Sequence, residues 1–108
     1  LIKIIIEREK KNINRVVVSG HGGGKRGEDI ICAGVSAVAQ TALSGLIHYG
    51  KDHVRWKSQD GFLEISIAGF DEPQRRTLFN AILTTMVLGL KGIEREHPKK
   101  VRVSFKEG

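Results

Sequence analysis

The hydrophobic period of this chain switches between two and about 3.6 residues, and that switching constrains its fold more tightly than any other feature. Residues 1–8, LIKIIIER, set Ile2, Ile4 and Ile6 on one side of an extended chain and Lys3 on the other, and EKKN ends the run. NRVVVS, residues 14–19, is β-branched and stops at Gly20, so these two segments predict a hairpin. From Asp29 onward Ile31, Val35, Val38, Ala42 and Leu46 recur at helical spacing to about Tyr49, where Gly50 provides a stop. HVRWKS (53–58) and FLEISIA (62–68) flank an Asp-Gly turn and predict a second hairpin. Pro73 suits the first turn of a second helix, whose stripe of Phe79, Ile82, Leu83, Met86, Leu90 and Ile93 ends before Pro98. KVRVSF (100–105) alternates as a final strand. The predicted order is ββαββαβ. This is an α/β chain of the α+β type, a two-layer sandwich in which two helices cover one face of a mainly antiparallel five-stranded sheet. Trp56, Phe62 and Phe79 are expected in its core.

At 108 residues the chain has room for one core, so residues 1–108 read as a single domain. A lone cysteine excludes an internal disulfide and a CxxC metal pair, and suits a reducing compartment. His48, His53 and His97 show no ligand spacing, so no metal and no cofactor are expected, and these histidines read as surface or helix-end residues. The apolar run from Leu1 to Ile6 is too short for a signal sequence or a membrane span. A soluble, cytoplasmic protein with no membrane partner is the expectation. The net charge of +6 permits an RNA partner. The basic residues look scattered, however, at Lys10, Lys11, Lys25, Arg26, Arg75, Arg76, Lys99 and Lys100, without interleaved aromatics, and solvated faces account for them.

The segment VSGHGGGKRGEDIICAGVSAVAQ, residues 18–40, joins the second strand to the first helix and holds the one cysteine. Residues 22–27, GGGKRG, match a dinucleotide-binding glycine pattern literally, but that pattern requires a parallel βαβ unit and here a tight hairpin follows the helix. The phosphate-loop pattern fails at Ser19 and at Arg26. His21 and Cys32 offer a different chemistry. A cysteine in the first turn of a helix has its thiolate favoured by the peptide dipoles, and an imidazole nearby takes the thiol proton and later protonates a leaving amine. Gly22, Gly23 and Gly24 would let backbone N–H groups approach a substrate oxyanion and let the loop close over it. A small core residue is the plainer reading of Cys32. Glu28 and Asp29 oppose a thiolate, Lys25 and Arg26 offset them, and Asp29 reads as the helix N-cap or as a group orienting His21. Ser36 lies one turn beyond Cys32.

Gly20-His21, the glycine-rich loop, Asp29-Ile30-Ile31-Cys32-Ala33 and then Ser36 resemble the Prp family of bacterial cysteine proteases. The residue after the histidine is commonly alanine in that family and is Gly22 here, so the loop transfers least. The resemblance implies Cys32 as nucleophile and His21 as general base, a dyad, with supporting roles for Gly20, Asp29 and Ser36. It further implies a homodimer that removes the N-terminal extension of a large-subunit ribosomal protein, cutting an extended peptide beside aromatic residues. An apolar groove for such a peptide would be lined by helix residues such as Ala39 and Leu43. The rival readings are a non-catalytic ribosome- or RNA-binding module using the basic surface, with direct RNA contact left open, and phosphate binding by Gly22 to Gly27.

Overall fold

The computed structural model describes residues 1–20, 26–70 and 72–108, and for residues 26–29 the backbone alone. Along the chain run β1 (Ile2–Glu9), β2 (Asn12–Ser19), α1 (Arg26–Gly50), a short 3-10 turn (Lys51–His53), β3 (Val54–Gln59), β4 (Phe62–Ile67), α2 (Pro73–Glu96) and β5 (Val101–Glu107). The ββαββαβ order is as the hydrophobic period predicts. The five strands form one sheet in the order β3-β4-β2-β1-β5. Three of its pairings are antiparallel, and β5 joins β1 in parallel, so the sheet is mixed and mainly antiparallel.

Strand register explains why both helices lie on the same face. Ile4 stands opposite Val18 and Ile6 opposite Val16, and Val16 and Val18 in turn face Ile65 and Leu63. Val54 meets Ile67, and Ile2 meets Val101. Because directly paired residues project to the same side, these side chains form one continuous apolar surface. Val35, Ala39, Leu43 and Leu46 of α1 and Phe79, Leu83, Met86, Val87 and Leu90 of α2 complete the core. Leu46, Leu83, Leu90, Ile4 and Ile65 are wholly enclosed, each worth about 1.5–3 kcal/mol of burial. The stretch Ile30–His53 is long and apolar enough to cross a membrane by length and composition alone, yet here its apolar stripe lies on the sheet.

The two helices are locked at one end. Arg75 donates to the carbonyl of Tyr49 at 3.1 Å, filling one of the acceptors that the end of α1 leaves open. Phe79 packs against Gly50 so closely that a Cβ there would stand 2.7 Å from Phe79 Cζ. His53 stacks on Phe70 with ring centres 4.6 Å apart, which agrees with a helix-end role for that histidine.

Of the three aromatics expected in the core, Phe79 alone is fully buried. Trp56 is 43% exposed, because burial along β3 stops after Val54 at the sheet edge. Phe62 is half-buried, paired with Ser19 and Gln59 on the face that the helices leave open.

Candidate active site

Gly20 fixes the geometry at the end of β2. Its φ of +108° lies in the range that glycine adopts freely, and a Cβ there would sit 2.3 Å from the Leu1 carbonyl oxygen. Its N–H donates to the Gly61 carbonyl at 3.0 Å, tying the end of β2 to the tip of the β3–β4 hairpin. The residue that leads into His21 is thereby held between the first residue of the chain and that tip.

Cys32 comes from α1. The helical backbone begins at Arg26, so Cys32 lies in the second turn rather than the first, and Asp29 lies inside the helix rather than at its N-cap. Arg26 and Glu28 are good helix formers, and they carry the helix past the point where Asp29 was expected to start it. The N–H of Cys32 is therefore used within the helix, and the first-turn N–H groups, which have no partner inside the helix, lie about one turn away. Cys32 is half-buried and packs against the edge of the core. The small-core-residue reading and the site reading meet at this position, since the same residue also lines a cavity.

That cavity has a volume of about 370 Å³ and runs between α1 and the β3–β4 hairpin. Cys32, Ser36 and Gln40, at spacing i, i+4 and i+8, form its helical wall, with Val35 and Ala39 beneath them. Ser58 to Leu63 form the opposite wall, and Ile2, Val18 and Gly20 form the floor. Asp60, at the hairpin tip, is the one charged side chain among the described lining residues.

The structure thus brings Gly20, Cys32 and Ser36 to one cleft. His21, Gly22, Gly23 and Gly24 lie outside the described residues, as does the side chain of Asp29. Ala39 lines the cleft as expected, whereas Leu43 is a core residue at 4% exposure. Sequence reasoning missed Gln40 and the whole hairpin wall. Gln40 was legible in the Cys32–Ser36 spacing continued by one more turn. The hairpin wall required the pairing of β2 with β4, which aligns Ser19 with Phe62 across more than forty residues of chain. Among the described residues, no group of three or more His, Cys, Asp or Glu side chains is placed to hold a metal ion.

Residues 1–102 match the family model described as cysteine protease Prp. The ribosomal processing cysteine protease Prp of Staphylococcus aureus (strain Mu50) is 27% identical over 108 residues, covering 97% of each chain. A crystal structure of the essential ribosomal processing protease Prp from S. aureus in complex with a substrate peptide superimposes with a TM-score of 0.84 at 25% identity, covering 98% of this chain and all of that one. The same S. aureus protease with a covalently linked product peptide gives a TM-score of 0.81 at 26% identity, with the same coverage. SMU.848 from Streptococcus mutans shares the fold, with a TM-score of 0.81 at 20% identity, covering all of this chain and 96% of that one.

Proposed function

The chain belongs to the Prp family of cysteine proteases, and from that premise we propose that it is a cytoplasmic, homodimeric endopeptidase that removes the N-terminal extension of a large-subunit ribosomal protein. The observation that carries the reading is the meeting of Cys32, Ser36 and Gly20 at one peptide-sized cleft, with Gly20 holding the chain where it enters His21. The S. aureus relatives, which hold a substrate peptide in one structure and a covalently linked product peptide in another, support a peptide as the occupant.

In the proposed reaction Cys32 Sγ attacks the scissile carbonyl carbon while His21 takes the thiol proton. The resulting oxyanion is received by backbone N–H groups, those of Gly22, Gly23 and Gly24 being the candidates. The C–N bond then breaks, and the departing amine takes the proton from His21, leaving a thioester on Cys32. Water attacks that thioester with His21 again as base, which releases the carboxylate product and restores the thiol. Ser36 and Asp29 support the dyad from α1. The reaction consumes one water and requires no cofactor.

Acid-quenched incubations with a peptide spanning the extension junction test this chemistry. The expected result is a mass increase on Cys32 equal to the acyl fragment, absent after Cys32→Ala. Iodoacetamide is expected to alkylate native Cys32 quickly, and several-fold more slowly after His21→Ala. Alkylation confined to unfolded protein would contradict a catalytic role for Cys32.

A further inference from the structure

Beyond the scattered basic residues of the turns and helix ends, a different set of cations, carried by the strands, is gathered by the sheet. Strand pairing places Lys3 opposite Arg102 and Glu7 opposite Lys106 on the face that the helices do not cover. Arg15 lies opposite Glu7, and Val17 opposite Glu64, on the same face. Glu64 in turn meets Lys57, and Ser66 meets Arg55. Among the described residues, these paired positions hold six cations, Lys3, Arg15, Arg55, Lys57, Arg102 and Lys106, against two carboxylates, a net of +4 there on a chain whose total is +6.

The two carboxylates are already occupied. Arg15 pairs with Glu7 on one side and with Glu64 on the other, forming an ion-pair ladder across β1, β2 and β4 in which one guanidinium serves both carboxylates. Lys3, Arg55, Lys57, Arg102 and Lys106 are all exposed, and none makes an ion pair among the described residues. They form two rims. Lys3, Arg102 and Lys106 lie along β1 and β5, and Arg55 and Lys57 lie along the far edge strand. With neighbouring strands about 4.8 Å apart, the rims are separated by roughly 14–19 Å. Like charges held this way by a rigid sheet repel one another unless a polyanion with charge at regular intervals reaches both rims.

We propose that this open sheet face docks the phosphate backbone of RNA, so that the protease is held on ribosomal RNA beside its ribosomal-protein substrate. The choice of RNA as the polyanion rests on the ribosomal reading above, whereas the charge asymmetry stands without it. No described residue lining the cleft belongs to either rim, and the cleft meets this face only at Gln59 and Phe62 among its described lining residues. Contacts of this kind position a protein without reading sequence.

The test is fluorescence anisotropy of the full chain with a labelled, unstructured 20-nucleotide RNA at several salt concentrations. Five phosphate contacts predict that the logarithm of affinity falls against that of salt with a slope of about −3.5. Lys3→Gln with Arg102→Gln, and separately Arg55→Gln with Lys57→Gln, are each expected to make that slope shallower by about 1.4. Affinity should fall about tenfold, with melting temperature and peptide cleavage unchanged. Lys91→Gln with Arg95→Gln, on α2 and so on the other side of the sheet, is expected to change affinity less than twofold. An equal loss from that control pair would show diffuse charge and overturn the assignment. Tighter binding to poly-glutamate or to phosphatidylserine vesicles than to RNA would overturn it as well. Absence of peptide cleavage with RNA binding intact would count against the protease reading alone.

Discussion

The two faces of the sheet are built from the same strands and obey different physics. On the covered face the paired positions are mostly isoleucine, valine and leucine, and burial holds the molecule together. On the open face the paired positions are mostly charged or polar, Ile5 is 37% exposed, and Glu7, Arg15 and Glu64 form an ion-pair ladder between the two cationic rims. One face is a stability surface and the other is free to carry charge for a partner. A residue's contribution is therefore set by which face its position in the alternation assigns it.

Neighbouring isoleucines on β1 should differ most. Ile4→Ala, on the covered face and fully enclosed, is expected to cost about 2–5 kcal/mol in urea unfolding, whereas Ile5→Ala, one residue along, should cost under about 1 kcal/mol. Equal losses would mean that the open face is buried in solution. Gly20→Ala is next, since it adds a side chain to a left-handed backbone and drives it into the Leu1 carbonyl. A loss of about 1–3 kcal/mol is expected, together with reduced cleavage. Trp56→Ala is expected to cost about 1 kcal/mol, where a core tryptophan would cost about 3–5.

The smallest effect belongs to Arg15→Gln, about 0.5–1 kcal/mol and less at high salt, because the ladder is partly exposed. Its hydrogen bonds to Glu7 and Glu64 raise the guanidinium pKa above its ordinary value. A raised pKa on a cation contributes stability that is fully present below the unfolded value and lost as pH rises through the folded one, here far into the alkaline range. The effect of Arg15→Gln measured at about pH 6 and at about pH 9 should therefore agree.

The covered face was legible in the sequence because alternation reports burial directly, and the ββαββαβ order, the two helices and the single core follow from it. Boundaries moved where a local signal was weak. Asp29 suggested a helix start, but the helix is already formed at Arg26, which shifts Cys32 by a turn. Trp56 was misread because an apolar residue on an edge strand looks the same in sequence as one on a central strand. The site was half legible. Gly20, Cys32 and Ser36 share a cleft, whereas Gln59, Asp60 and Gly61 reach it through a strand pairing that no local pattern encodes. The charge of the open face was hidden for the same reason, since Lys3 and Arg102 are neighbours in register only once β5 lies beside β1.

Proteolysis by Cys32 is read out by an intact-mass time course of the extended large-subunit ribosomal protein, incubated with this protein under reducing conditions beside its Cys32→Ala variant. A single new mass lacking the N-terminal extension, formed by the native chain and absent with the variant, is the predicted result. An unchanged substrate mass, or the same cleavage by both proteins, would contradict it.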